Sequence, residues 1–400
     1  MISRDTTSKF YFIKVSFFYV CLFGLFYSEP LLIFGVKIAV IWKIVLIIIM
    51  MPTVFNYLFH KNIELFVVFA LLLSIKMFIN LSSTFEYLNM NLSIVVKNSM
   101  LPMMFIYLSV KMNKNKLLFL ARHLSIFTIL SFIPFLMHVL EPLSKGYHLA
   151  AFGEGENVFG LVGLFMGPHS ASESIAIMLI VIYYLYQNEK KIFYKYFYAT
   201  LLIFGAYEMI LTYARSGLVI AGVGITYLYL KENSRQKFST FFFLIFPMII
   251  GIIFMFQTNK VFQMRLEDKN IYKQQELGSG RLDIATNAVH NWSTDSIPAI
   301  FIGLGYNYGL EKMERSIHNK IFAHNNFIQI LQQEGLIGFI IFILFLYYLL
   351  KYIQNYKFSQ YYNVTMSLYF GFILEMLLQG NFLFLMQLII TVYLVLLKDK

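Results

Sequence analysis

Twelve long apolar runs constrain the fold of this chain more than any other feature of its sequence. They cover residues 10–27, 31–50, 63–79, 92–110, 117–140, 168–186, 193–213, 216–230, 238–257, 335–350, 361–379 and 381–397. A helix needs about 20 apolar residues to cross the hydrocarbon core of a bilayer, and each run is near that length. The runs are continuous and lack the alternation that a membrane β-barrel strand shows. They therefore predict an all-α polytopic membrane protein with about twelve transmembrane helices.

The composition excludes a soluble protein and gives the positive charge a membrane explanation. Charged residues make up 13% of the chain, whereas soluble domains contain about 25%. The net charge is +11, and Lys and Arg residues are found in every second connection between the runs. Cytoplasmic loops retain such residues, so this alternation predicts that both termini are cytoplasmic. No basic stripe with interleaved aromatic residues lies outside the runs, which argues against a nucleic-acid partner.

Residues 258–334 form a long extracytoplasmic segment between the ninth and tenth runs of a single membrane domain spanning residues 1–400. Acidic and basic residues balance in this segment, and a structureless loop of such length would be unusual in a compact protein. Apolar residues recur at helical spacing from Arg281 to Trp292. The spacing predicts an amphipathic helix on the membrane face, with Trp292 at the interface and Pro298 ending it.

A polar block precedes the tenth run. His324 and Asn325 begin it, Glu334 and Gly335 close it, and Gly338 follows within the apolar stretch. Gly335 predicts a helix stop because glycine accepts left-handed backbone conformations. This block resembles the signature of the O-antigen ligase/polymerase superfamily, whose members polymerise or ligate lipid-linked bacterial polysaccharides. The resemblance implies a GT-C-like fold with a large, partly helical periplasmic loop, in the bacterial cytoplasmic membrane.

Arg215 is the first candidate for binding phosphate. It stands in residues 212–217, Thr-Tyr-Ala-Arg-Ser-Gly, between the seventh and eighth runs. This stretch is similar to the superfamily's Thr-x-Ser-Arg block, except that Ala214 replaces the small hydroxyl residue. A guanidinium group binds phosphate oxygens through two parallel hydrogen bonds and stays charged at every relevant pH. The alternative is an arginine that only snorkels to the membrane surface at a helix end.

Arg281 is the second candidate, because it begins the amphipathic helix of the extracytoplasmic segment. The N-terminus of a helix favours anions, and an arginine there would strengthen a site for a diphosphate. The superfamily has a loop arginine before a Trp-containing helix and a Gly-x-Gly turn, which correspond here to Trp292, Gly303 and Gly305. The alternative is a solvated arginine that pairs with Asp283.

Weaker candidates complete the set. Arg265 is flanked by acidic residues that would neutralise it. His169 and Glu173 lie one helical turn apart at the start of the sixth run, where they could contact sugar or cap the helix. Glu208 and Glu375 lie inside apolar runs, where carboxylates are costly and are usually functional or paired. A proton pathway and a structural pair with a membrane-depth lysine both remain open for these two acids.

The resemblance implies an enzyme, a membrane glycosyltransferase that polymerises undecaprenyl-pyrophosphate-linked oligosaccharide units. Arg215 and Arg281 would hold the pyrophosphate, and His324 would act as the general base. The substrate-binding residues that we expect are Asn325, Arg265, His169, Gly303, Gly305 and Glu334. The sequence contains no Asp-x-Asp, Walker A, HExxH or CxxC motif, so we expect no metal and no cofactor.

The partners implied are the lipid-linked glycans, the lipid bilayer, a chain-length regulator and a flippase. An O-antigen ligase, which transfers the glycan to lipid A-core, shares the same three residues and is the alternative. A polysaccharide flippase or other transporter is the alternative of another class. Transporters are commonly built from internal repeats, and none is visible in this sequence.

Overall fold

The fold comes from a computed structural model, which describes residues 32–33, 36–80, 88–140, 160–165, 167–232, 237, 253, 257, 281–317, 323–378 and 383–398. Two short antiparallel strands, β1 (Leu32–Ile33) and β2 (Val36–Lys37), precede the first described helix. The helices of the described part are α1 Ile38–His60, α2 Leu65–Ile79, α3 Leu88–Lys111, α4 Lys114–Leu130, α5 Ile133–Leu136, α6 Pro168–Asn188, α7 Ile192–Leu211, α8 Arg215–Leu230, α9 Arg281–Ser293, α10 Ile297–Ile302, α11 Tyr306–Ile317, α12 Asn326–Asn355, α13 Tyr362–Leu378 and α14 Phe384–Leu396.

The described residues confirm a helical, polytopic membrane protein. Four segments are long and apolar enough to cross a bilayer: Ile41–His60, Lys114–Leu136, Pro168–Asn188 and Asn326–Asn355. The four shorter apolar helices are α2, α8, α13 and α14. Of the twelve predicted runs, the first lies outside the described residues, as does nearly all of the ninth. The predicted number of spans therefore stays a prediction.

The boundaries of the second run were wrong. The sequence placed it at residues 31–50, but the helix runs from Ile38 to His60 and contains Pro52. Proline removes a backbone donor and breaks most helices of soluble proteins. Helices in membranes tolerate proline better, since neighbouring groups satisfy the freed backbone. Pro52 thus stands inside α1 instead of ending it.

Two helices, α6 and α14, form the centre of the helical bundle. In α6, 83% of the most apolar window is buried inside the protein. This helix packs against α4, α7, α8 and α13, while α14 packs against α3, α4, α6 and α13. Because their side chains face other helices, α6 and α14 position the remaining helices around them.

Contacts between connections agree with the sidedness that the charge pattern predicts. On one side, Lys398 pairs with Glu64 at 3.0 Å. On the opposite side, Asn80 donates a hydrogen bond to Glu334 across 2.7 Å. Each pair joins two regions that the sequence assigns to the same face of the membrane. The structure thus reproduces the relative sides, and which face is cytoplasmic stays the prediction of the positive charges.

The extracytoplasmic segment contains a small apolar core of its own. Ala288 of α9, Met313 of α11 and Ala323 are buried together, and Ile284 and Ile328 pack against them. The predicted helix at Arg281–Trp292 is confirmed as α9, which ends at Ser293. The sequence did not predict α11. Helices α9, α10 and α11 all pack against α12, so the segment is docked on the membrane helices.

The predicted end of α9 needs correction, and the structure gives Trp292 a contact that the sequence did not predict. Pro298 does not end α9, because it stands in the first turn of α10, where no backbone N–H is needed. The Trp292 side chain is partly buried, and its indole N–H donates to the carbonyl oxygen of Ile300 across 3.1 Å. That hydrogen bond ties α9 to α10. Trp292 therefore serves the contact between two helices, and its predicted place at the membrane interface stays a prediction.

An ionic network fixes α11 beside the end of α9. The Asp295 carboxylate pairs with Lys312 and accepts a hydrogen bond from the Tyr308 hydroxyl at 3.0 Å. Burial alone would raise the pKa of Asp295. Hydrogen bonds from Lys312, the Ser296 amide and Tyr308, together with the charge of Lys312, outweigh that effect and lower the pKa. Asp295 is therefore held ionised near neutral pH and links α11 to the turn before α10.

Candidate functional site

His324 lies at the tip of the polar block, immediately before α12. Its backbone is left-handed, with φ of 49°, which is uncommon for any residue other than glycine. The side chain is partly buried. On one side Ala323 is packed into the small apolar core, and on the other side Asn325 caps α12. Both neighbours hold the backbone of His324, so the imidazole is presented from a fixed position.

Asn325 caps the N-terminus of α12. Its side-chain oxygen accepts the backbone N–H groups of Phe327 at 2.9 Å and Ile328 at 3.2 Å. These are orphan donors in the first turn of a helix, and an asparagine cap satisfies them. The sequence predicted Asn325 as a substrate-binding residue, and nothing in the structure tests that role. The capping geometry shows that Asn325 orients the residues on both sides of it.

The structure places the beginning of α9 close to His324. Ile284, one helical turn after Arg281, packs against the same apolar core as Ala323, the residue before His324. Arg281 is the first residue of α9, as predicted. The side chain of Arg281 and the whole of Arg265 lie outside the described residues. Their predicted contacts with pyrophosphate therefore stay predictions.

Gly303 and Gly305 form a backbone junction with Gly335. The φ angles are 76° at Gly303, 84° at Gly305 and 66° at Gly335. Gly305 donates its N–H to the carbonyl oxygen of Gln333 across 2.9 Å. A Cβ atom on Gly303 would lie 2.3 Å from that same oxygen. These glycines allow two backbone segments to lie in contact. Packing therefore explains why glycine stands at positions that the sequence predicted to bind substrate.

Gly335 breaks α12 as the sequence predicted. Its φ of 66° and ψ of −172° are not helical, so α12 has a kink there. The polar turns that begin at Asn326 lie before the kink, and the apolar membrane part lies after it. The turn at Gly303–Gly305 packs into this kink, because a Cβ atom on Gly335 would lie 2.5 Å from the nitrogen of Gly303.

Glu334 joins this junction to α2. Its carboxylate accepts a hydrogen bond from the Asn80 amide at 2.7 Å and lies 3.5 Å from the Lys76 ammonium. Lys76 also donates to the carbonyl oxygen of Ile302. Glu334 is only 3% exposed, so it links α12 to α2 inside the protein. The substrate contact predicted for it stays a prediction. Sequence analysis missed Lys76 and Asn80, although a lysine inside an apolar run is a signal for such a pairing.

We expect the Lys76–Glu334 pair to show strong coupling in a double-mutant cycle. Breaking a buried ion pair leaves one charge unpaired, which costs about 3–5 kcal/mol. Lys76→Met and Glu334→Gln should each lower the thermal stability of the detergent-solubilised protein, and the double variant should recover part of the loss. The control pair is Arg315 and Glu311, which lie 3.9 Å apart on the exposed face of α11. Exposed pairs contribute about 0–1 kcal/mol. Equal coupling in the two pairs would contradict the role given to Glu334.

Arg215 lies in a separate, tightly held turn. It is the first residue of α8 and is exposed. The preceding Tyr213 is left-handed, with φ of 53°. Ser172 of α6 donates to the carbonyl oxygen of Ala214 across 3.2 Å. The turn between α7 and α8 is therefore fixed by α6, and it presents Arg215 at the membrane boundary.

The predicted residues of α6 lie beside this turn. His169 is partly buried in the first turn of α6, and Glu173 one turn later is fully buried. Glu375 accepts the N–H of Leu383 across 2.6 Å, and its electrostatic neighbours include Glu173 and Lys97. This arrangement supports the structural alternative for Glu375, because its carboxylate holds the start of α14. Within the described residues, neither carboxylate oxygen of the buried Glu208 has a hydrogen-bond partner.

Several buried polar atoms next to these motifs have no hydrogen-bond partner among the described residues. They are the Ser216 hydroxyl beside Arg215, and the Asn326 amide nitrogen and Gln329 amide oxygen just after His324. Such atoms are rare in native proteins and call for a water or a ligand to complete them. The sequence analysis did not identify Asn326 and Gln329. In the same described part, no three His, Cys, Asp or Glu side chains are grouped to hold a metal ion.

The predicted residues thus fall into two groups. One contains His169, Glu173 and Arg215 at the starts of α6 and α8. The other contains His324, Asn325, Glu334, Gly303 and Gly305, and the backbone of Arg281 lies beside it.

Comparison with known families gives a match that includes residues of both groups. Residues 199–343 match a family described as O-antigen ligase. The matched region begins before the Arg215 turn and ends inside α12, so it includes Arg215, Arg281, His324 and Glu334. Among curated proteins, none matches the chain. The match over residues 199–343 supports the resemblance to the O-antigen ligase/polymerase superfamily that the motifs indicated.

Proposed function

We propose that this protein polymerises undecaprenyl-pyrophosphate-linked oligosaccharide repeat units into O-antigen or capsular polysaccharide. The reaction takes place at the outer face of the cytoplasmic membrane. The growing chain is the donor, and another lipid-linked repeat unit is the acceptor. The observation that carries this proposal is the geometry around His324, which stands before α12 next to the start of the Arg281 helix. Both lie within the region that matches the O-antigen ligase family.

In this mechanism, His324 removes the proton from the acceptor hydroxyl. The oxygen of that hydroxyl attacks the anomeric carbon of the donor sugar, and the bond from that carbon to the pyrophosphate oxygen breaks. Negative charge then grows on the departing undecaprenyl pyrophosphate. Arg215 and Arg281 bind this group and stabilise its charge in the transition state. Attack from the face opposite the leaving group inverts the anomeric centre, and no metal or cofactor takes part.

The remaining residues support these groups. Asn325 holds the backbone beside His324 through its cap on α12. The junction of Gly303 and Gly335, together with Glu334, fixes the extracytoplasmic segment to α2 and α12. His169 and Arg265 contact the sugar or phosphate groups of the substrates. The unpartnered amides of Asn326 and Gln329 lie just beyond His324, where polar groups of a substrate or water could satisfy them.

An O-antigen ligase is the second candidate, because the matching family carries that description. A ligase uses the same donor but transfers the finished glycan to lipid A-core. Transport by a flippase has weaker support. Transport would not explain why the extracytoplasmic segment packs on the helical bundle and holds His324 at the start of α12.

Deletion of the gene in its source bacterium separates polymerase from ligase. For a polymerase, we expect the deletion strain to contain only single repeat units, both on undecaprenyl pyrophosphate and on the final carrier. Complementation with the wild-type chain should restore the full ladder of chain lengths on glycolipid gels. Long chains that accumulate on undecaprenyl pyrophosphate without reaching lipid A-core would instead identify a ligase. Loss of every lipid-linked glycan from the extracytoplasmic side, with intact units inside, would identify a flippase.

A further inference from the structure

The short helix α10 presents apolar side chains to its surroundings. Its sequence, Ile-Pro-Ala-Ile-Phe-Ile, contains no charged residue. Ile297 is 73% exposed, Phe301 48% and Ile302 50%, whereas only Ala299 is buried. Leu304, just beyond the helix, is exposed as well. A contiguous apolar face of this kind marks a surface that has a partner.

The place of α10 in the fold shows what lies next to this face. The backbone of Phe301 lies against Gly335, where the apolar membrane part of α12 begins. Lys76 of α2 donates to the carbonyl oxygen of Ile302, which brings α10 to the end of α2. Both membrane helices expose apolar side chains near these contacts. These are Ile75, Phe78 and Ile79 of α2, and Ile337 and Ile340 of α12.

We propose that α10 inserts into the extracytoplasmic leaflet of the bilayer, where its exposed face binds the acyl chains of lipids. The face is continuous with the surfaces that α2 and α12 present to the hydrocarbon core. The helix itself carries no charged side chain, which a segment in contact with acyl chains requires. Lipid is therefore the occupant that fits, whereas a second copy of this chain would leave the continuity with α2 and α12 unexplained.

This assignment gives α10 a membrane contact that the sequence analysis expected only of α9. In α9, Ala288 is buried in the small apolar core and the Trp292 indole is bonded to Ile300. These contacts occupy part of the apolar side of α9, whereas Val289 is 39% exposed. The backbone contact of Phe301 with Gly335 attaches α10 to α12, eleven residues after His324. Insertion of α10 would then set the height of His324 above the hydrocarbon core, and this holds whichever lipid-linked glycan the enzyme uses.

Site-directed fluorescence in proteoliposomes tests this proposal. The only cysteine, Cys21, is replaced by serine, and a single cysteine is placed at Phe301 and labelled with a small fluorophore such as bimane. Ile297→Cys provides a second reporter on the same helix. Ile340→Cys on α12 serves as the membrane control, and Arg315→Cys on the exposed face of α11 serves as the aqueous control. Quenching is measured with phosphatidylcholine brominated on its acyl chains and with aqueous iodide.

We expect brominated lipid to quench the labels at residues 301 and 297 at least half as strongly as the label at residue 340. Iodide quenching at both positions should be at least threefold weaker than at residue 315. Iodide quenching equal to that at residue 315, with no effect of brominated lipid, would overturn the proposal. Protection from both quenchers that disappears at a high lipid-to-protein ratio would also overturn it, because a second copy would then cover the face. Normal thermal stability of each labelled protein shows that the fold is retained.

Discussion

Replacement of His324 by alanine should lower polysaccharide synthesis by at least about 100-fold. A positioned general base contributes about 10²–10⁴ to the rate, and that contribution would be lost with the imidazole. The measurement is the ladder of chain lengths in the deletion strain complemented with the variant, at a membrane level of protein matched to wild type. Single repeat units should dominate, while lipid-linked substrate accumulates.

Two further variants separate chemistry from structure at this position. His324 has a left-handed backbone, and alanine adopts that conformation less readily than asparagine does. His324→Asn should therefore keep the local fold yet lose activity to the same extent. His290→Ala is the matched control, because this histidine is exposed on α9 in the same segment. A full ladder from His324→Asn would contradict the assignment of His324 as the base and leave the arginines to explain catalysis.

The sequence predicted the membrane character and most helices because bilayer insertion depends on local composition. A run of about 20 apolar residues has few alternatives to a helix, since every backbone group must be satisfied within the segment. The second run shows the limit of that argument. Pro52 would end a soluble helix, but α1 continues past it for two more turns. Boundaries depend on what neighbouring helices supply, and a single run does not contain that information.

The motifs were predictable, but the reason for several of their residues was not. In the structure Gly303, Gly305 and Glu334 join α2, α10 and α12, and their expected contact with substrate stays a prediction. A motif marks residues that a site needs, and it does not separate direct contact from support. Lys76 was missed altogether because its partner lies far away in the sequence. Long-range pairs of this kind become visible only when the helices are packed together.

In the extracytoplasmic segment, too, the sequence predicted one part of the structure and missed another. Helical spacing identified α9 correctly, but it assigned the apolar side of that helix to the membrane. The structure covers Ala288 on that side with Met313 of α11 and with Ala323, whereas Val289 is 39% exposed. The spacing of apolar residues shows that a face is buried, and only tertiary contacts show whether protein or lipid buries it. The exposed face of α10 is the part of this segment that protein leaves uncovered.

Gly335→Ala should release the extracytoplasmic segment from the membrane helices. Only glycine readily adopts φ near +66° with ψ near −172°, and forcing another residue into such a region costs about 1–3 kcal/mol. The new Cβ atom would also lie 2.5 Å from the nitrogen of Gly303 and 2.7 Å from the carbonyl of Phe301. These are backbone atoms, which cannot turn aside as the end of a side chain could. We therefore expect a total loss of about 2–6 kcal/mol, because overpacking adds about 1–3 kcal/mol of its own.

Gly222→Ala is the matched control for this prediction. Gly222 lies inside α8 on an exposed surface, and a Cβ atom there would meet no atom within 4 Å. Alanine in a helix interior is favoured over glycine by about 0.5–1 kcal/mol, so this variant should be as stable as wild type or slightly more so. Amide hydrogen exchange in detergent should show faster exchange in α10 and α11 for Gly335→Ala alone, together with loss of polymer. If the two variants exchange and polymerise alike, the junction at Gly335 does not hold the segment in place. His324 would then have to be positioned by Asn325 and the small apolar core without help from α2.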